Sequence, residues 1–422
     1  MSLSRLMLAT SLLAICTPAL AQTPEKVAAV ALEAAPVWDG HNDVPWALRS
    51  RFNNMLEGFD FHDTLDGEHW TMDEMHTDLT RLRQGKVGAQ WWSVYVPASL
   101  EEPDAVQATV EQIDVAKRLI ASYPDDMTLA LTSADVEAAM AQGKIPGLLG
   151  MEGGHSIGTS LAVLRQMYDL GARYMTLTHS ANTSWADSAT ATPEHDGLTP
   201  FGEQVVREMM RMGMLVDLSH VSAATMNDAL DVAAALPGGG APVIFSHSGA
   251  AAINSHPRNV PDSVLARLPA NGGIVMAVGL PAYLSERLRQ YNAQRNGEQA
   301  RLRGLFPGDP ASIDYLLAQW DAANPKPAAT VIDYADHIDR IRQMAGIDHI
   351  GLGGDYDGMD SGVEGMEDVT GYPALFVELA RRGYSQEDLE KIASRNMLRV
   401  LKEAEDYAES MADMPPIETP TS

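Results

Sequence analysis

Eight continuous apolar runs recur along the 422-residue chain, at residues 35–41, 88–97, 145–152, 172–179, 213–220, 241–247, 272–279 and 348–355. Nearly every gap between them holds an amphipathic helical pattern, such as "AVQATVEQIDVAKRLIA" or "FGEQVVREMMRM". Continuous apolar runs that alternate with amphipathic helices are typical of parallel strands buried on both faces. The pattern therefore predicts an α/β protein, a single-domain (β/α)8 TIM barrel, with a doubly wound open sheet as the alternative.

Six of the eight runs end in residues that can bind a metal or transfer a proton. These are His41 with Asp43, Glu152, His179, His220, His247 and Asp355. In a (β/α)8 barrel the C-terminal ends of all strands meet at one rim, where active sites are found. Side chains two residues apart on an extended segment also point the same way, so His41 and Asp43 should project together. We therefore expect all seven side chains to meet at one site.

The residue types in this set predict a pair of divalent ions. His41, Asp43 and Glu152 would bind one ion, and Glu152, His220 and His247 would bind the other. Imidazole and carboxylate ligands suit Zn²⁺, and three protein ligands leave one coordination position open for water. A carboxylate that bridges two ions is the usual dinuclear arrangement, which places Glu152 at the bridge.

Residues 22–402 are predicted to form one catalytic domain that carries the repeat and one insertion, with a further segment on either side. Residues 281–329 form a long charged insertion after the seventh strand, and a solvent-exposed helix is favoured there over a lid on the rim. Residues 403–422 are acidic and contain prolines, which predicts a disordered tail. Residues 1–21 read as a signal peptide that is cleaved after Ala21, which predicts a periplasmic or secreted protein.

Composition limits the partners and the covalent chemistry. The formal charge is −27 and the pI is about 4.7, which argues against a nucleic-acid partner because gripping phosphates needs a basic face. The only cysteine, Cys16, lies in the predicted signal peptide, so the mature chain would have no disulfides and its stability would depend on its hydrophobic core. No apolar segment closes the C-terminus, so we expect no membrane anchor there.

Seven short blocks, taken in order, resemble the membrane (renal) dipeptidase family of zinc peptidases, peptidase family M19. They are "HND", "MEGGH", "LTHSANTSWAD", "VDLSHVS", "FSHSGA", "HPRNVPD" and "GLGGDYDG", and the resemblance runs from Val37 to Leu401. It implies an amidohydrolase-like TIM barrel that holds two zinc ions. The positions that match the family's metal ligands are His41, Asp43, Glu152, His220 and His247, with Glu152 as the bridge.

The same resemblance implies roles for three further residues. His179 matches a histidine that contacts the substrate near the scissile carbonyl, Arg258 matches the residue that binds the substrate carboxylate, and Asp355 matches the acid-base carboxylate. The implied activity is hydrolysis of dipeptides with a free C-terminal carboxylate, L-L and also L-D, by a metal-activated hydroxide. The family likeness also leads us to expect a homodimer.

Two alternatives keep the metal site but change its use. One is a metal-dependent hydrolase of another amide or of a β-lactam, and the other is a non-catalytic zinc-binding protein. A protein that only binds zinc has no need for Asp355, Arg258 and His179 beside the ligands. Their presence favours the enzyme.

Overall fold

The computed structural model describes residues 22–65, 75–101 and 103–419. The predicted signal peptide, residues 1–21, lies outside these ranges and stays a prediction. Within the described ranges, every helix is too short or too polar to cross a bilayer.

A closed ring of eight parallel strands forms the centre of the fold and confirms the predicted TIM barrel. The described residues form nine strands: β1 (Val37–Asn42), β2 (Val87–Ser93), β3 (Met127–Leu129), β4 (Ile145–Glu152), β5 (Ala172–Thr176), β6 (Leu215–Asp217), β7 (Ile244–Ser248), β8 (Ile274–Val278) and β9 (Ile350–Gly353). Their order is β2-β1-β9-β8-β7-β6-β5-β4, and β2 pairs with β4 to close the ring. The doubly wound open sheet is therefore excluded.

The remaining strand, β3, pairs only with the first residues of β4. Only Met127 of its three residues is buried and Thr128 is polar, so no continuous apolar run marks this strand in the sequence. The eight ring strands match the eight predicted runs in order. β1, β4, β7, β8 and β9 are buried along their whole length, as expected for parallel strands covered on both faces.

Helices surround the ring and fill the gaps between strands. They are α1 (Pro24–Ala34), α2 (Val44–Phe52), α3 (Leu79–Gln84), α4 (Asp104–Ser122), α5 (Ser133–Ala141), α6 (Leu161–Asp169), α7 (Pro200–Met212), α8 (Ala223–Ala235), α9 (Asp262–Leu265), α10 (Leu268–Asn271), α11 (Pro281–Leu284), α12 (Glu286–Leu305), α13 (Pro310–Ala323), α14 (Val331–Ala345), α15 (Tyr372–Arg381), α16 (Gln386–Glu390) and α17 (Asn396–Ser410). The helices that cover the ring bury an apolar stripe, as Val205, Val206 and Met209 do on α7.

The insertion at 281–329 folds into α11, α12 and α13. The two long helices, α12 and α13, pack against each other, and on α12 only Leu288 and Leu302 are buried. Most of the insertion is therefore an exposed helical hairpin, as the sequence favours. Its first helix, α11, differs because it reaches the barrel rim and contributes to the site described below.

The C-terminal segment differs from the predicted disordered tail. Helix α17 continues to Ser410, beyond the predicted domain end at 402, because it buries an apolar face against the barrel. Further along, the backbone N–H of Ile417 donates to Glu208 Oε2 at 3.1 Å, and Arg165 donates to the Ile417 carbonyl at 3.2 Å. Of the acidic residues that suggested disorder, Glu403, Asp406 and Glu409 lie on the solvent-exposed face of α17.

We predict opposite effects for two glycine substitutions. A Cβ at Gly353, on β9, would overlap the backbone carbonyl of Ser246 on β7, which cannot move aside without distorting the barrel. Gly353→Ala should therefore destabilise the protein by at least about 2 kcal/mol. Gly297→Ala, on exposed α12 where a Cβ meets nothing, should stabilise it by up to about 1 kcal/mol. Urea unfolding measures both, and a neutral Gly353→Ala would contradict the packing.

Candidate metal centre

The structure brings all seven predicted side chains to one rim of the barrel. Each lies at or just beyond the C-terminal end of its strand, and together they form overlapping groups with ligand atoms within 4.8 Å of one another. These groups are His41–Glu152–His247, Glu152–His179–His220 and His41–Asp43–Asp355. Except for His179, these side chains are buried.

Glu152 lies at the centre of this cluster, and its two oxygens face different partners. Oε2 lies 3.5 Å from His41 Nε2, and His41 Nε2 lies 3.3 Å from Asp43 Oδ2. Oε1 lies 3.0 Å from His220 Nε2 and 3.5 Å from His247 Nε2. The two sides correspond to the two predicted ligand sets, so the geometry supports a bridging position for Glu152.

The nitrogen and oxygen atoms of the cluster are placed to bind divalent cations rather than to form hydrogen bonds with one another. The nitrogens His220 Nε2 and His247 Nε2 lie only 2.9 Å apart, and the buried atoms His41 Nε2 and Asp43 Oδ1 have no hydrogen-bond partner. Buried polar atoms without partners are costly unless a ligand satisfies them. Imidazole nitrogens and carboxylate oxygens in this arrangement are the ligands that Zn²⁺ takes in proteins.

His41 is oriented by a tyrosine that crosses the barrel interior. His41 Nδ1 lies 3.0 Å from the Tyr174 hydroxyl, which fixes the ring with Nε2 towards Asp43 and Glu152. The Tyr174 ring passes directly over Gly150, where any side chain would overlap it. A glycine at position 150 is therefore required for the Tyr174 hydroxyl to reach His41.

Two of the rim residues have backbone conformations that are unusual for residues with a side chain. His220 has a φ of 67° and Asp355 a φ of 62°, both in the left-handed region. Such conformations cost free energy and cluster at functional sites, where the surrounding structure maintains them. Asp355 is held in place by its backbone N–H, which donates to the His41 carbonyl at 3.1 Å.

The proton affinities of the cluster follow from burial and charge. Burial favours a neutral His41, but Tyr174, Glu152 and Asp43 outweigh it and raise the pKa of His41 well above its ordinary value. Burial, with the nearby Arg258 charge, holds the pKa values of His220 and His247 well below the ordinary value, so both are neutral and have a free lone pair. Burial raises the pKa of Asp355 to about 8.

A pocket opens from this cluster, with a cavity volume of about 260 Å³. That volume is just below the usual range of roughly 300–1,000 Å³ for ligand pockets, so the pocket suits a small substrate. Its walls comprise the cluster residues Asp43, Glu152, His179, His220, His247 and Asp355, together with Trp46, Tyr95, Arg258, Leu280, Tyr283 and Gly358.

Arg258 lines the same pocket and is 1% exposed. It donates to the Ser248 hydroxyl at 3.3 Å and to the His247 carbonyl at 3.1 Å, while its Nε has no partner. Among the described residues, no carboxylate oxygen lies within 4.0 Å of its nitrogens, although the protein is strongly acidic. A buried guanidinium without a counter-ion is suited to bind a substrate anion.

His179 lies at the mouth of the cluster. Its Nε2 is 3.9 Å from Glu152 Oε1, its ring packs between Tyr95 and His220, and its Nδ1 is buried without a partner. Burial lowers the pKa of His179, so the ring is neutral and can donate an N–H to a carbonyl oxygen.

Several pocket residues carry no signal that we recognised in the sequence. Trp46 and Tyr95 pack edge to face with ring centroids 5.0 Å apart and form one wall. Tyr283 comes from α11 of the insertion, and its ring centroid lies 5.4 Å from the Arg258 guanidinium carbon. Gly358 lets the Asp43 and Asp355 carboxylates lie against its Cα, since a side chain there would overlap Asp43. Only Tyr95 lies within a predicted strand run.

Comparisons with known sequences agree with this geometry. Residues 25–414 match the model of the membrane dipeptidase family, peptidase family M19. The chain is 40% identical over 388 residues to dipeptidase 3 of Rattus norvegicus, which covers 91% of this chain and 68% of that protein. It is also 40% identical over 409 residues to an uncharacterised dipeptidase of Schizosaccharomyces pombe, covering 94% of this chain and 87% of that one.

Solved structures show the same fold. The probable dipeptidase PvdM of Pseudomonas aeruginosa superposes with a TM-score of 0.74 at 22% identity, over 91% of this chain and 99% of that one. A metallopeptidase of Rhodobacter sphaeroides, liganded with a phosphinate mimic of the dipeptide L-Ala-D-Ala, superposes with a TM-score of 0.70 at 22% identity, over 88% and 99%. The resemblance seen in the sequence blocks is confirmed, and the chain is a metallodipeptidase that belongs to the membrane dipeptidase family, peptidase family M19.

Proposed function

We propose that the protein hydrolyses dipeptides with a free C-terminal carboxylate, with two zinc ions held on either side of Glu152. The observation that carries this proposal is the buried Arg258 guanidinium, which has no carboxylate partner among the described residues and lies in the same small pocket as the ligand cluster. Because the Arg258 guanidinium and the metal centre line one cavity of about 260 Å³, the cavity would select a short substrate that ends in a carboxylate.

The ligand roles follow from which Glu152 oxygen each residue faces. His41, Asp43 and Glu152 Oε2 would hold one ion, and His220, His247 and Glu152 Oε1 the other. When bound, a divalent pair supplies Lewis acidity, which lowers the pKa of water and polarises a carbonyl. Ser93 donates to Glu152 Oε2 at 3.2 Å and so helps to fix the plane of the Glu152 carboxylate, which would hold both ions.

Arg258 would bind the substrate carboxylate and so fix the position of the substrate in the pocket. Its planar guanidinium can donate two parallel hydrogen bonds to a carboxylate, which fixes both position and orientation. The Tyr283 ring lies beside it and restricts that end of the pocket. Because the clamp and the metal ligands line one small cavity, the scissile bond of a dipeptide would lie at the cluster.

Asp355 and His179 would handle the proton and the developing negative charge. In the metal-free chain, burial together with Asp43 and Glu152 raises the pKa of Asp355 to about 8. Its carboxyl group lines the pocket beside the ligand cluster, where it can accept a proton and pass it to the leaving amine. The neutral His179 can donate an N–H to the carbonyl oxygen as it gains charge. The proposal also includes acceptance of L-D dipeptides, export after cleavage at Ala21 and assembly as a homodimer.

Metal binding should release protons. In the metal-free chain the pKa values of His41 and Asp355 are raised, that of Asp355 to about 8. At pH 7 His41 is therefore a charged imidazolium and Asp355 is a neutral carboxylic acid. Zinc needs the His41 lone pair, so binding at pH 7 should release about one proton or more, and zinc affinity should rise with pH. Calorimetric titration with zinc in two buffers of different ionisation enthalpy measures this release. Equal heats in both buffers would contradict it.

Asp355→Asn should keep both ions and lose turnover. The amide preserves the shape of the side chain but cannot accept the proton, so kcat should fall by at least roughly 10²-fold at unchanged metal content. Steady-state kinetics with elemental analysis test this. Asp360→Asn, an exposed carboxylate in the same loop, is the matched control and should behave as wild type. Full turnover in Asp355→Asn would remove Asp355 from the mechanism.

Arg258→Met should weaken the binding of substrates that carry a free carboxylate. Methionine keeps much of the volume but removes the charge, so kcat/KM should fall by roughly 10²-fold, mostly through KM. A dipeptide with an amidated C-terminus is the control substrate: wild type should cleave it poorly, and the variant should lose little more on it. If wild type cleaved the amide and the free acid equally well, the proposed clamp would be wrong.

A further inference from the structure

A further carboxylate, Asp217, lies behind the ligand cluster rather than in it. It ends strand β6 and is fully buried. Its Oδ1 accepts the backbone N–H groups of Ser219 at 3.0 Å and Ser246 at 2.9 Å. Its Oδ2 accepts the hydroxyls of Thr176 at 2.5 Å and Ser246 at 2.6 Å. Four donors satisfy this carboxylate, so it needs no cation of its own.

The Ser246 hydroxyl connects Asp217 to the ring of His247. Ser246 Oγ lies 2.8 Å from His247 Nδ1 and 2.6 Å from Asp217 Oδ2. A hydroxyl has one hydrogen, and a carboxylate can only accept, so Ser246 donates to Asp217. His247 Nδ1 must then carry a hydrogen and donate it to Ser246 Oγ. The relay therefore runs from imidazole to hydroxyl to carboxylate.

This direction decides which nitrogen of His247 is free. With the proton on Nδ1, the lone pair is on Nε2, which points at Glu152 Oε1 at 3.5 Å. Asp217 also holds the backbone at Ser219, the residue before His220. It thereby ties together the ends of β6 and β7, the two strands that lead to the histidines on the Oε1 side of Glu152.

We propose that Asp217 is a positioning residue for the metal centre, which acts through Ser246 to fix the tautomer and the ring orientation of His247. This inference rests on the metal centre of the proposed function. It assigns to two residues outside the pocket the role that a directly bonded carboxylate has in many histidine–metal sites. Neither residue needs to contact the substrate.

The isosteric variant Asp217→Asn should reverse the relay. An amide that replaces the carboxylate directs its NH₂ group at the Ser246 oxygen, and Ser246 then donates its own hydrogen to His247 Nδ1. The proton of His247 is displaced to Nε2, the nitrogen that faces the cluster. Asp217→Asn should therefore impair metal binding more than Ser246→Ala, which only removes the acceptor that holds the ring.

Competition between the full-length protein and a chromophoric zinc chelator, with Zn²⁺ alone as the probe, measures this difference. We expect the Kd for zinc to rise about 10-fold in Ser246→Ala and about 100-fold in Asp217→Asn. The matched control is Ser133→Ala, which removes a buried hydroxyl that donates to Glu405 at 2.5 Å, far from the rim. It should lower the melting temperature without a change in Kd.

Neutron diffraction from metal-free wild-type crystals gives a second test that needs no variant to fold. The deuteron should lie on His247 Nδ1, with the Ser246 deuteron directed at Asp217. A deuteron on Nε2, or unchanged zinc affinity in both relay variants, would overturn the relay while leaving the metal centre intact. A wild-type protein that bound no zinc would instead overturn the metal centre of the proposed function, and the relay with it.

Discussion

The fold has to accommodate a buried ionised carboxylate, Glu152, at the end of a strand that is otherwise apolar. Burial by itself raises the pKa of such a group, yet the pKa of Glu152 is held well below its ordinary value because His41, His220 and His179 surround it. A buried charge is tolerated only where opposite charges or strong hydrogen bonds compensate the loss of water. The arrangement of the rim follows from this requirement, since the ends of β1, β2, β5, β6 and β7 each lead to a side chain that contacts this carboxylate.

The closed barrel brings these side chains together. Parallel strands in a ring place all their C-terminal ends on one face, so residues separated by two hundred positions in the chain become neighbours. Close approach then depends on a few local features. Gly150 leaves room for the tyrosine that orients His41, and Gly358 leaves room for two carboxylates. Left-handed backbone at His220 and Asp355 turns these residues out of the strand direction.

The sequence was sufficient to locate the ring strands and the side chains that meet at the rim, because both leave a local signal. A buried parallel strand is a continuous apolar run, and a histidine or acid at its end stands out against that run. Other features leave no such signal. Strand β3 is only partly buried and lacks a continuous apolar run. The apolar residues of α17 alternate with acidic residues, and Tyr283 reaches the pocket from an insertion whose sequence resembles a solvent-exposed helix. Asp217 and Ser246 were missed because an ordinary strand-end Asp and Ser become informative only when their hydrogen-bond partners are known.

The central claim is that one carboxylate, Glu152, joins two cation sites on the rim of the barrel. Anomalous diffraction at the zinc absorption edge, from crystals of the protein as purified, tests it most directly. The account predicts two peaks per chain, one on each side of the Glu152 carboxylate, with His41 and Asp43 at one and His220 and His247 at the other. A single peak that Glu152 does not touch, or no transition metal at the rim of fully active protein, would contradict it.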